Sequence, residues 1–288
     1  MAENPVLAVI GGSGLYHFPS LMNTSQIEIE TPFGKPSSPI TLGELSGKKV
    51  AFLARHGIGH SILPTEVNSR ANIYALKSIG VSRIISVSAC GSLREDYKPG
   101  QIVIPDQLVD FTTQRPRTFF GEGIAAHIGS ADPFCKELSK YAIEALRPTG
   151  ADVHKGGTYI TIEGPRFSTK AESNLFREWG MSIIGMTASP EAFLAREAEI
   201  CYATMAHVTD YDVWHSSESP VTVEMVIKVL NQNTSTAQEA IVNLVSLLPE
   251  SNDCDCQHIL RDSIMTQRDK IPAKTKKKLG ILVEKYLS

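Results

Sequence analysis

The chain of 288 residues has no apolar run long enough to span a bilayer, so no membrane association is expected. It also lacks an excess of either charge. Lys and Arg number 28 against 31 Asp and Glu, a net charge of −3, which leaves no general basic surface and excludes nucleic acid as an expected partner. The one basic run, Lys274-Thr275-Lys276-Lys277-Lys278, reads as a solvated helix face. No basic segment precedes the short apolar run over 6–10, so no signal sequence is read and a cytoplasmic protein is expected. No histidine pair has metalloprotease spacing, and no metal is predicted. Cysteine is sparse. Cys90, Cys135 and Cys201 lie in apolar or motif segments and read as small buried residues. Cys254-Asp255-Cys256 is too tightly spaced for a zinc knuckle and has no second pair to complete one. Both a strained disulfide and two free surface thiols fit it.

What remains is an ordinary globular composition, with 42% hydrophobic and 20% charged residues. Short β-type runs alternate with longer helical ones. Strands are expected over 6–10, 40–42, 49–54, 83–88, 101–105, 157–163, 181–185 and 200–208. Helices are expected over 68–79, 133–146, 169–178, 190–199 and 221–247, the second with Asp132 as N-cap and Pro133 at its first position. Such alternation predicts one α/β domain, residues 1–250, with a central mixed, largely parallel sheet flanked by helices. Residues 251–288 read as a separate helical tail, with short helices over 259–265 and 279–287 packed on the domain or on a neighbouring subunit.

Chemistry concentrates where strands end. Gly11-Gly12-Ser13-Gly14 follows the first strand and fits either a plain turn or an anion loop; it is neither a Walker loop nor a complete dinucleotide fingerprint. Arg55-His56-Gly57 closes the strand ending at Ala54, and a guanidinium suits phosphate. Ser88-Ala89-Cys90-Gly91-Ser92 offers a hydroxyl beside close backbone N–H groups, and Thr187 a further hydroxyl after Met186. Phe167, next to Ser168, could stack on a flat ring. His60 lies near the Arg55-His56 turn, and His127 lies in the long irregular stretch 112–131. His207, inside an apolar strand, reads as a satisfied core residue. Asp210 and Asp212 follow the strand 200–208. By themselves they fit a turn or N-cap; in an extended chain they would share one face, each raising the other's pKa, as a general acid requires.

In order, Gly11-Gly12-Ser13-Gly14, Thr31-Pro32-Phe33-Gly34-Lys35-Pro36, Ala54-Arg55-His56-Gly57, Ala89-Cys90-Gly91-Ser92-Leu93-Arg94-Glu95, Thr161-Ile162-Glu163-Gly164-Pro165-Arg166-Phe167-Ser168 and Thr209-Asp210-Tyr211-Asp212 resemble the S-methyl-5′-thioadenosine phosphorylases, a branch of the trimeric purine nucleoside phosphorylases. The resemblance runs from about residue 6 to about residue 247. It implies a nucleoside-phosphorylase-like fold, a homotrimer or dimer of trimers, and no cofactor. It also implies phosphorolysis of S-methyl-5′-thioadenosine to adenine and 5-methylthioribose 1-phosphate in purine and methionine salvage, with inorganic phosphate as co-substrate. Adenosine, other purine nucleosides or methylthioinosine are the alternative substrates. By this resemblance Ser13, Arg55, His56, Ser88, Ala89 and Thr187 hold phosphate, and Met186 and Phe167 flank ribose and base. Ser168, Asp210 and Asp212 meet the purine, with Asp210 as the acid. Val223, Val226 and His60 line the methylthio end, and His127 enters from the adjacent subunit. Ser88 stands where the family pattern has threonine, and Gly185 where it has Asn.

Overall fold

The computed structural model describes residues 4–12, 18–215 and 223–287, with side chains omitted at 223 and 225–232. Its strands are β1 Leu7–Gly11, β2 Met22–Ile27, β3 Ile40–Leu45, β4 Lys48–Ala54, β5 Arg83–Ser92 and β6 Ile102–Ile104. They continue as β7 Gln107–Phe111, β8 Val153–Lys155, β9 Thr158–Ile162, β10 Ile183–Gly185 and β11 Cys201–Asp210. The helices are α1 Ser69–Ser78, α2 Lys136–Leu146, α3 Lys170–Glu178, α4 Ala188–Glu197, α5 Val223–Leu247, α6 Ala273–Leu279 and α7 Glu284–Leu287.

All the strands join one sheet, in the order β2-β3-β4-β1-β5-β10-β9-β7, with β11 on β5, β6 on β11 and β8 on β6. Six pairings are parallel and four antiparallel, so the mixed, largely parallel sheet expected from the alternation is the one that forms. Period-two alternation divides β1 between two cores. Leu7 and Val9 face the α2 and α5 side, and Ala8 and Ile10 the α1 and α4 side. Tail residues Ile271, Leu279, Leu282 and Val283 complete the second core of the same chain.

Local chemistry explains most boundaries. Asn68 caps α1 by accepting from Ala71 N–H. Thr169 and Glu172 form a reciprocal capping box at α3. The Asp132-Pro133 start expected for α2 is displaced. The helix begins at Lys136 behind Cys135, whose backbone N–H is tied to Tyr202 O at 2.8 Å and whose Sγ accepts from Leu138 N–H. Strands β2, β7 and β8 were not expected. The residues of β2 are mostly polar and exposed on the sheet edge, and β8 has only three residues. The helix expected over 259–265 does not form: that stretch is turns and an isolated bridge at Ile264, preceded by a short 3-10 turn at Asp255–His258.

Candidate active site

The site forms where β5 changes neighbours. On one edge β5 pairs first with β1, through Ile84 to Ser86, and then with β10, at Gly91 and Ser92; β11 runs along the other edge. Among the described residues, 87–90 have no strand partner on that first edge. Such a switch point at the carboxyl ends of strands is where open α/β sheets admit ligands.

Arg55 closes the floor of this gap. It is 2% exposed, and its Nε donates to Glu191 Oε1 at 2.6 Å. Its terminal nitrogens reach Ser86 Oγ at 2.7 Å and Val87 O at 3.3 Å. Tyr202 donates to the other Glu191 oxygen at 2.8 Å. The buried cation is therefore matched by a buried anion. With five N–H groups on the side chain, Nη1 keeps one that has no acceptor among the described residues.

His56 Nδ1 lies 2.9 Å from Ile62 O, so this nitrogen carries the proton and Nε2 is the acceptor in the neutral ring. Burial, followed by the charge of Arg55, lowers His56 to about 4. His60, at φ +59°, stacks on it with ring centroids 4.4 Å apart.

Above them, Ser88 Oγ is buried close to the Tyr159 hydroxyl, and Ala89 is half-buried. Thr187, which caps α4 just after β10, meets the Tyr159 hydroxyl that also reaches Ser88. Thr187 Oγ1 lies 3.2 Å from the Tyr159 hydroxyl. That hydroxyl fills the place next to Gly185: a Cβ there would sit 2.1 Å from it.

The acids lie farther along β5. A bulge at Thr209 shifts the register, so that Asp210 rather than Thr209 faces Gly91. Asp210 Oδ1 accepts Asp212 N–H and Oδ2 accepts Thr209 Oγ1–H, each at 2.7 Å. Asp212 turns away from extended geometry at φ +52°, against the expectation of a simple extended pair, yet it remains beside Gly91. Its Oδ2 is buried without a partner among the described residues. Burial raises Asp212 to about 6, against the Ser173 hydroxyl and Val213 N–H, which favour the charged form, and with the charge of Asp210 added; burial also raises Asp210. Ser168 Oγ is a further buried, unpartnered group. Phe167, beside it, is 37% exposed. Met186 reaches over Gly164, whose hypothetical Cβ would lie 2.6 Å from Sδ.

Arg115 holds these loops together and carried no local signal in the sequence. It is 8% exposed, pairs with Glu163 at 3.0 Å, and donates to the carbonyls of Met186, Ser189 and Glu163. Burial would raise Glu163, but N–H groups of Thr113 and Gln114 together with Arg115 outweigh it and lower the carboxyl to about 2. Glu191 was also missed; an acid inside the apolar run 188–195 was its available signal.

Not every expected residue joins the group. Ser13 lies outside the described residues, as do the side chains of Val223 and Val226. His127 is exposed on a segment fastened to the tail, its backbone N–H donating to Ser263 O at 2.9 Å. His207 is a core residue as expected, but neither ring nitrogen has a partner among the described residues, so it is not a satisfied one. A cavity of about 700 Å³ lies over Gly11, Phe18, Phe52 and Ala54, on the β1–β4 side and away from the acids.

Residues 6–246 match the family model described as the phosphorylase superfamily. The S-methyl-5′-thioadenosine phosphorylase of Koribacter versatilis is 52% identical, over 97% of this chain and 96% of its own. That of Geobacter sulfurreducens is also 52% identical, over 98% and 99%. A crystal structure of a methylthioadenosine phosphorylase from an antarctic soil metagenomic library superposes with a TM-score of 0.92 at 47% identity, covering 97% of this chain and 99% of that one. A Schistosoma mansoni methylthioadenosine phosphorylase in complex with adenine gives a TM-score of 0.86 at 35% identity, covering 90% and 98%.

Proposed function

The chain belongs to the phosphorylase superfamily, and from that premise we propose that it catalyses phosphorolysis of S-methyl-5′-thioadenosine, releasing adenine and 5-methylthioribose 1-phosphate. The observation that carries the substrate assignment is the acid pair: two buried carboxyls with no cation beside them among the described residues, one raised to about 6, set along β5 from a gap lined by hydroxyl and N–H donors.

Breaking the C1′–N9 bond leaves positive charge on the ribose and negative charge on the purine. A phosphate oxygen forms the new bond to C1′, and its remaining charge stabilises the cationic sugar. The gap supplies the donors Ser88 Oγ, Ala89 N–H, Thr187 Oγ1 and the spare Nη1–H of Arg55; Ser13, outside the described residues, is assigned to phosphate by the sequence resemblance. His56, neutral in the free protein, offers phosphate an acceptor, and becomes a donor there on taking up a proton. No side chain has to act as nucleophile, and inorganic phosphate is the only co-reactant, with no cofactor.

The departing purine needs a proton at N7, and its 6-amino group needs an acceptor. One proton shared by two carboxyls meets both demands. In the free protein Asp210, whose oxygens both accept hydrogen bonds, is the better placed to be ionised, and Asp212 to hold the proton. With Asp210 as the acid at N7, as read from the sequence, the proton passes from Asp212 as the base seats. A carboxyl pair suits a 6-aminopurine; a 6-oxopurine needs a donor toward O6. Phe167, Ser168 and Met186 flank ribose and base, and His60, Val223 and Val226 line the methylthio end. Adenosine is a weaker second substrate, because an apolar pocket separates such analogues by only about 1–3 kcal/mol.

The exposed side chain of His127 supports a homotrimer in which it enters the neighbouring subunit's site. Among the described residues no helix is long and apolar enough to cross a membrane, and all five cysteines are unbridged; both support a cytoplasmic enzyme of purine and methionine salvage. The test is adenine release from methylthioadenosine with and without inorganic phosphate. Release is expected only with phosphate; an equal rate without it would identify a hydrolase instead.

A further inference from the structure

Far from this site, the remaining cysteines converge. Cys135 caps α2, Cys201 opens β11, and Cys254 and Cys256 flank Asp255 at the start of the tail. Their four Sγ atoms all lie within 4.8 Å of one another, and Cys135 and Cys254 are 3.6 Å apart. Spacing along the chain concealed this, because Cys135 and Cys254 are 119 residues apart. A tetrahedron with metal–sulfur bonds of about 2.3 Å has edges of roughly 3.8 Å, so the sulfurs need only small movements to adopt it.

The surroundings are those of a thiolate site. Leu138 N–H donates to Cys135 Sγ at 3.4 Å, and the helix N-terminus behind it favours negative charge. Asn252 Nδ2 lies 3.6 Å from Cys201 Sγ, and Cys256 N–H points to the Cys254 thiol. Arg83, 4% exposed, is near enough to feel the charge of Cys201 and Cys135.

We propose that Cys135, Cys201, Cys254 and Cys256 form a structural site for a thiophilic divalent cation, zinc, that fastens the tail to the start of β11 and to α2. Four sulfur ligands leave no open position, so the ion is closed to substrate. Soft thiolates in tetrahedral array select zinc over the hard cations.

The full chain, purified under reducing conditions with Zn2+ and then desalted, should retain one zinc per chain by elemental analysis. Co2+ in its place should give the intense visible absorption of a tetrahedral tetrathiolate. Cys254→Ser and Cys256→Ser, both half-exposed on the tail, should each weaken Zn2+ binding by at least about 100-fold, beyond the loss of an outer-shell partner. Both should keep the wild-type circular dichroism spectrum and phosphorolysis rate. A chelator should lower the Tm of the wild type but not of these variants. Substoichiometric zinc with the thiols still free to react, or disulfides among these cysteines in freshly isolated protein, overturns the proposal.

Discussion

The two ends of the proposed active site handle buried charge in opposite ways. At the gap beside β5, Arg55 is matched by Glu191 at 2.6 Å, so the floor is close to neutral and an anion must be held mainly by neutral donors. At the base end, Asp210 and Asp212 are buried together with no cation among the described residues to hold either ionised. One end is charge-compensated and rigid. The other is uncompensated, and its Asp212 carboxyl is raised to about 6. A buried ion pair supports structure, whereas an unpaired buried acid stores reactivity.

Removing the uncompensated proton should have the largest effect. Asp210→Asn and Asp212→Asn should each reduce kcat/KM for methylthioadenosine by about 10²–10⁴-fold, the usual contribution of a general acid. If only one does, the proton belongs to that residue alone. Asp212→Asn carries a second signature. A carboxyl raised from 3.8 to about 6 favours folding while protonated, so the wild type loses stability as pH rises through that window, and the variant should lose less, keeping only the part due to Asp210.

Breaking the compensated end should unfold rather than merely slow the enzyme. Glu191→Ala leaves Arg55 buried and unpaired, an expected loss of about 3–5 kcal/mol by urea denaturation. A variant as stable as the wild type would mean that Arg55 has another anion.

His207 and Gly185 give smaller effects. His207 is lowered from 6.5 to about 4 by burial alone, so its stabilising contribution is full above pH 6.5 and declines as pH falls toward 4. His207→Leu should remove about 3 kcal/mol of that acid-side loss, read as Tm against pH. Gly185→Ala places a methyl against the Tyr159 hydroxyl and should cost about 1–3 kcal/mol. Tyr159→Phe in the same chain should recover part of it, and no recovery would place the crowding elsewhere.

Sequence alone revealed the sheet's character and pointed to the strand ends that gather beside β5, because apolar strands that end in glycine, hydroxyl or acidic residues leave a local signature. Asn68 and Thr169 marked helix starts correctly for the same reason. Long-range partners left little or none. Arg115 is defined by carbonyls from two other loops, and Glu191 by a guanidinium 136 residues away. The start of α2 moved because Tyr202 O and the Cys135 thiol supply caps that Asp132 does not. The four-cysteine cluster was hidden because its members come from three separate elements.

The shared strand β5 also sets a length. Ser88 and Gly91 stand three residues apart, roughly 10 Å along an extended backbone, and they face the two ends of the proposed ligand. Nucleophile and leaving group are thus gauged from one strand largely buried in the sheet, not from two bodies free to drift apart. A lid closing over such a site can shield it from water, but it cannot alter that interval. Tolerance for a different 5′ group and intolerance of a displaced base would then be two readings of the same ruler.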